Sequence, residues 1–224
     1  HNRDRSERSL ERTRRILVRA APSIVLTTSA VFERLAMIRS HSGEWRDLPW
    51  LTVDDLPRDD ANDWYVPDLR DDTLAYLQFT SGSTGEPKAA MVSHANLIHQ
   101  WHGHRAAFPV TSDMRSVVWL PHSHDWGLTD GVIAPVLNGN PCQLLPAASF
   151  LQRPFSWLKA ISGTSPVISG APNFAYDLCV RRIDQGETPD LDLSGWKIAQ
   201  VGAETVRPAT LEAFAQRFSR HGFS

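Results

Sequence analysis

The chain has 224 residues, 42% of them hydrophobic, and a formal net charge of -2, a composition that supports a buried core and excludes disordered and fibrous classes. With 23 basic against 25 acidic residues there is no overall field for nucleic acid or an anionic membrane, and no apolar run approaches the ~20 residues a bilayer-spanning helix needs. Cys142 and Cys179 sit among apolar neighbours and read as small buried hydrophobes rather than a disulfide or metal pair, so a cytoplasmic protein is expected.

Residues 6–20 place Leu10, Ile16, Leu17 and Ala20 among charges, with Glu11 four residues before Arg15, which predicts an amphipathic helix with a solvated arginine face. Pro22 ends it, and Ile24 to Thr28 gives a short β-branched strand. Eight aspartates lie between Asp54 and Asp72, with Pro57 and Pro67 among them, and predict a surface connection. The pairs Asp54-Asp55 and Asp59-Asp60 lack the spacing and glycine of a calcium loop.

From Thr73 onward strands alternate with helices: 116–120 then 126–137, 142–145 then 150–161, 166–168 then 173–183, 197–201 then 208–218. Such βα units predict an α/β fold, a mostly parallel sheet covered by helices, with ligands beyond the carboxyl ends of the strands. The expected organisation is a helix-strand end of one subdomain plus the acidic connection over 1–72, and a βα-repeat subdomain over 73–224. A start at His1 without an initiator methionine, and a stop at Ser224 directly after a helix-like segment, fit an internal piece of a longer protein.

The strongest local signal follows the apolar run Leu74 to Phe79. Thr80, Ser81, Gly82, Ser83, Thr84, Gly85, Glu86, Pro87 and Lys88 combine four hydroxyls, two glycines and a lysine. Glycines let successive amides converge, hydroxyls add donors, and the ammonium supplies a point charge, which together suit a polyphosphate. The chain has twenty arginines and only three lysines, which makes Lys88 in this loop conspicuous. Glu86-Pro87 before the lysine and Ala89 after it depart from the Walker pattern. The competing account is an ordinary Ser/Gly-rich hairpin turn.

Thr80 to Lys88, with Met91-Val92-Ser93-His94, resembles the phosphate-loop signature of the adenylate-forming superfamily of acyl-CoA synthetases, peptide-synthetase adenylation domains and luciferases. The resemblance implies ATP and Mg2+ as cofactors, a loop on the β- and γ-phosphates, and a role for Lys88 in catalysis. It also implies an adenylate-forming fold, of which this chain would be part of the N-terminal domain. Ala89 stands where the family usually has glycine.

His124 and Asp125, within Leu120-Pro121-His122-Ser123-His124-Asp125-Trp126-Gly127-Leu128, resemble the superfamily's aromatic-His-Asp segment, which implies His124 beside the carboxylate and α-phosphate as a second catalytic residue. From the residues alone, His124 orients an anion, or Asp125 caps a helix with His124 packed beside it. Gly202, Ala203 and Glu204 resemble the adenine-contacting segment, although Val201 replaces the usual polar residue before the glycine. The plainer account is a glycine ending a strand.

Phe150 to Pro154, Trp157-Leu158 and above all Ser169 to Cys179 closely resemble fatty-acyl-AMP ligases. That likeness implies that Gly170, Ala171, Pro172, Asn173 and Phe174 line the entrance of an acyl tunnel, with Leu178 and Val180 kept as helix core. The implied partners are a fatty acid and the phosphopantetheine arm of an acyl carrier protein or of a polyketide or peptide synthase, with no nucleic acid and no membrane span. The family's metal-binding glutamate, ribose-binding aspartate and adenylation lysine find no match here, so no metal ligand is expected and these residues by themselves are not expected to adenylate. The rival readings are an acyl-CoA synthetase and a catalytically idle nucleotide- or lipid-binding module.

Overall fold

A computed structural model describes residues 2–36, 47–57, 64–80 and 87–224. Two units divide the chain, His1–Leu97 and Ile98–Ser224.

In the first unit, helix α1 (Asn2–Ala20) is followed by strand β1 (Val25–Thr27), helix α2 (Ser29–Arg34) and strand β2 (Trp50–Thr52), with β1 and β2 paired in parallel. The predicted Glu11–Arg15 pair forms at 3.1 Å. Asp54 and Asp55 have a structural task. The Asp54 carboxylate accepts from the Ser29 amide at 2.9 Å, and Asp55 accepts from the Ser29 hydroxyl at 2.6 Å, so the acidic pair satisfies the start of α2. The Ser29 hydrogen bond, then one from Thr52, holds the Asp55 carboxyl below its ordinary value.

Strand β3 (Leu74–Thr80) pairs antiparallel with β4 (Lys88–Ser93), and Thr80 lies opposite Lys88. That second strand intervenes, because Ala89 to Ser93 extends beside β3 before helix α3 (His94–Ala107) begins. Ser93 caps that helix reciprocally: its backbone amide donates to the Asn96 side-chain Oδ1 at 3.0 Å, and the Asn96 backbone amide donates to the Ser93 hydroxyl at 3.2 Å.

The second unit holds the parallel sheet. Its strands are β5 (Arg115–Val118), β6 (Cys142–Leu144), β7 (Val167–Ala171) and β8 (Trp196–Val201), in spatial order β6-β5-β7-β8 and all parallel. The connection after β5 is α4 (Asp125–Leu128), a π-helical turn (Thr129–Ile133) and α5 (Ala134–Asn138). Helices α6 (Ala147–Gln152) and α7 (Phe155–Ile161) follow β6, α8 (Asn173–Asp184) follows β7, and α9 (Pro208–Phe218) follows β8. The predicted 150–161 helix is two, because Pro154 cannot donate in a helix interior.

From β5 the chain moves outward to β6, then returns past β5 to β7 and continues to β8. The carboxyl ends of β5 and β7 therefore flank the point where the winding reverses, the usual crevice of such sheets. One sheet face carries the main core, in which Trp157 and Phe218 are fully buried and Tyr176, Trp196 and Phe214 nearly so. Ser169 ties this core to the sheet: it accepts from the Trp157 indole at 2.8 Å and donates to the Val117 carbonyl. A smaller cluster of Val110, Met114, Ile168 and Ile198 is separate from it.

Candidate active site

Three segments leave the carboxyl ends of neighbouring strands, 119–126 after β5, 171–174 at the end of β7, and 202–207 after β8, and the last two are hydrogen-bonded to each other. Asn173, fully buried, donates from its amide nitrogen to the Thr205 carbonyl at 3.0 Å and accepts from the Arg207 amide at 2.9 Å. The Phe174 amide faces the Glu204 carboxylate at 3.4 Å, and Arg207 pairs with Asp177 at 3.4 Å. The predicted acyl segment and adenine segment are thus one braced structure, with Asn173 as its pin.

Within that structure Gly202 is half-buried, while Ala203 and Glu204 are exposed. Ala203 has φ of 64°, a left-handed conformation uncommon for a residue with a Cβ. Gly170 and Ala171 are buried in β7, Pro172 is half-buried, and the Phe174 ring is 38% exposed at the edge of the Trp119–Phe150 stack. Leu178 and Val180 pack against the core, as a helix core face requires.

His124 occupies the N-cap of α4 and is exposed, not packed against neighbours. Its Nδ1 lies 2.7 Å from Asp125 Oδ1, and the same oxygen accepts from the Trp126 amide at 2.8 Å. The capping account changes in its residue, since His124 rather than Asp125 is the N-cap, and Asp125 as the first helical residue accepts from the Trp126 amide. Nδ1 faces the Asp125 carboxylate and the Trp126 amide, the latter at 3.3 Å, so Nε2 is the ring atom left for a ligand.

Trp126 was quoted in the sequence but given no role. A Cβ on Gly170 would lie 2.8 Å from its Cζ2, and a Cβ on Gly202 would lie 3.5 Å from its Cζ3. The indole therefore rests against the two glycines that end β7 and follow β8. Its N–H donates to Asp130 at 2.7 Å. Burial raises the Asp130 carboxyl above its ordinary value, partly offset by that indole bond and by His104. Beside it a cavity of about 10 Å³ is lined in part by His104, Val118, Ile168 and Gln200; the buried His104 Nδ1 and Gln200 Oε1 have no hydrogen-bond partner among the described residues. Two glycines spaced to receive one ring were the available signal for Trp126, but it needs the strand order to be seen.

Ser81, Gly82, Ser83, Thr84 and Gly85 lie outside the described residues, as does the Thr80 side chain. Lys88 is exposed at the first position of β4. The cysteines are free thiols; burial, with Asp130 adding to it, pushes Cys142 up to about 11, and burial raises Cys179.

The parallel sheet flanked by helices is the fold of adenylate-forming enzymes, and the sequence profile of the AMP-binding enzymes matches residues 6–223. The chain belongs to that family. It is 41% identical over 220 residues to the medium-chain-fatty-acid–[acyl-carrier-protein] ligase JamA of Moorena producens, covering 98% of this chain and 37% of the relative. It is 39% identical to a putative fatty-acid–CoA ligase, fadD21, of Mycobacterium leprae, covering 95% of this chain and 38% of that one. A crystal structure of a fatty acyl-adenylate ligase from L. pneumophila, in complex with acyl adenylate and pyrophosphate, superposes with a TM-score of 0.83 at 35% identity, over 96% of this chain and 37% of that one. The chain thus spans a little over a third of the length of these relatives. No helix among the described residues is long and apolar enough to cross a membrane.

Proposed function

We propose that the protein carrying this chain activates a fatty acid with ATP, forming acyl-AMP and pyrophosphate, and passes the acyl group to the phosphopantetheine thiol of a carrier protein. The observation that carries this reading is the pinning by Asn173 of the acyl-like turn to the adenine-like turn, at the sheet edge where His124 stands. A carboxylate oxygen attacks the α-phosphorus, the bond to pyrophosphate breaks, and pyrophosphate leaves. The thiol then attacks the acyl carbon and AMP departs.

In this reading Thr80, Ser81, Gly82, Ser83, Thr84, Gly85 and Lys88 hold the terminal phosphates. Gly202, with no side chain, leaves backbone open to the flat adenine, and Ala203 and Glu204 flank it. Gly170, Ala171, Pro172 and Phe174 border the acyl chain, while Asn173 is committed to the backbone of Thr205 and Arg207. His124, with Nδ1 turned to Asp125, would present its Nε2 edge to the anion at the reacting end. Catalysis is mainly positional and electrostatic, since two anions must meet at phosphorus. Mg2+ would enter bound to the nucleotide and neutralise phosphate charge; among the described residues no group of three or more His, Cys, Asp or Glu could hold it.

The test is fatty-acid-dependent ATP–pyrophosphate exchange by the whole protein. Lys88→Ala is expected to lower exchange by ~100-fold or more, the usual consequence of losing one preorganised charge donor. Exchange that is absent in the wild type, or unchanged in Lys88→Ala, would sink the reading. The relatives' names divide on the acceptor, carrier protein for JamA and CoA for fadD21, so acyl transfer to a phosphopantetheinylated carrier and to coenzyme A is compared in the same assay.

A further inference from the structure

One side chain, Trp126, lies against both the end of β7 and the turn after β8. Gly170 and Gly202 each present bare backbone to the Trp126 indole, and at Gly170 a Cβ would come within 2.8 Å of it. The ring cannot swing away freely, because its N–H is held by Asp130 at 2.7 Å and α4 continues directly into the π-helical turn that carries Asp130. Behind it the neighbouring cavity, of about 10 Å³, has room for about one water and none for a hydrocarbon branch.

Gly202 belongs to the proposed nucleotide turn and Gly170 to the proposed acyl turn, so the indole stands where the first carbons of an acid would meet the nucleotide. The geometry points to Trp126 as the specificity-determining wall of this site, excluding acids with bulk beside the carboxyl group and admitting unbranched aliphatic acids. Asp130 is its positioning residue, acting through the indole N–H. This inference rests on the adenylation reading above.

The experiment measures kcat/KM for adenylate formation by the whole protein with a straight-chain acid and its 2-methyl-branched isomer of equal carbon number. Removing the ring in Trp126→Ala is expected to raise the branched-to-straight ratio ~10-fold or more, the discrimination one or two methyl-sized groups give in a packed pocket, with KM for ATP little changed. Trp126→Phe keeps most of the wall and leaves the ratio near wild type. Asp130→Leu moves the ratio in the same direction as Trp126→Ala, and Asp130→Asn, which retains an acceptor for the indole, does not; a merely structural role would lower stability without moving the ratio. Binding of the straight and branched acyl-sulfamoyl adenosines, followed by calorimetry, gives the same comparison for a folded but inactive variant, and Trp126→Leu replaces Trp126→Ala if the latter does not fold. An active wild type whose ratio and relative binding are unmoved by loss of the ring overturns the wall and leaves adenylation standing. A wild type that forms no adenylate from any acid overturns both.

Discussion

The two units use their aromatic side chains in opposite ways. In residues 98–224, Trp157 is fully buried and meets Tyr176 and Trp196 edge to face at 5.3 and 5.2 Å, while Tyr176 meets Phe214 at 5.0 Å. Among the described residues of 1–97, Pro87 alone is buried, and Trp64 and Tyr65 are 70% and 79% exposed. The first unit's described strands are two two-stranded pairs, which are marginal by themselves, and its described ties include polar ones such as Ser29 to Asp54 and the Phe32–Trp50 ring contact at 6.1 Å. The second unit encloses its own core under a four-stranded sheet. The rigid edge that holds the candidate site is therefore built on self-contained packing.

The sharpest way to break this contrast is to truncate one tryptophan in each unit. Trp157→Ala opens a cavity and removes one of the Ser169 hydroxyl's two hydrogen bonds, and is expected to cost about 3–5 kcal/mol. Trp64→Ala removes an exposed ring and should stay within about 0.5 kcal/mol. Urea unfolding monitored by circular dichroism compares them; equal losses would show that the two units are held together alike.

A smaller effect is expected at the pin of the site. Asn173→Ala leaves the Arg207 amide and the Thr205 carbonyl without their partner inside the fold, at a cost of about 1–3 kcal/mol. The Arg207 amide should then exchange with solvent faster than amides in β7. Unchanged exchange at Arg207 would mean that the 202–207 turn is held by something other than Asn173.

What could be read from residues alone follows the same division. In 98–224 the alternation of short apolar runs, turn residues and longer helical stretches located every strand of the parallel sheet and the helices between, although β5 and β6 carry polar residues and β8 alternates buried with exposed ones. Only breaks inside helices, at Pro154 and at the π-helical turn, escaped that pattern. In 1–97 the periodicity is weak. Lys88 to Ser93, with a charge, two alanines and a serine in six residues, carries little strand signal and pairs only because β3 lies alongside. Asp54 and Asp55 looked like loop decoration, since their partner Ser29 is 25 residues away in the chain. Candidate site residues beside turn glycines were legible through motif spacing. Trp126 and Asp130 were not, because their partners are set by which strands become neighbours.

The smallest expected effect tests the polar side of the second unit's packing. Asp130 has its carboxyl raised from the ordinary value of 3.8, burial being the largest cause. The folded state therefore holds this proton more tightly than the unfolded chain does. Its favourable contribution is fully present below 3.8 and is lost as pH rises through the raised folded value. Asp130→Asn lacks that titration while its amide carbonyl still accepts from the Trp126 indole. The Tm of the variant relative to wild type should thus increase as pH rises through this window, by no more than about 2–4 °C, equivalent to about 1 kcal/mol in a chain of this size. Thermal melts at a series of pH values check the sign. A difference that is flat, or that shrinks with rising pH, would mean that the indole bond and His104 together outweigh burial, and that the Trp126 anchor is an ionised carboxylate even in the acid range.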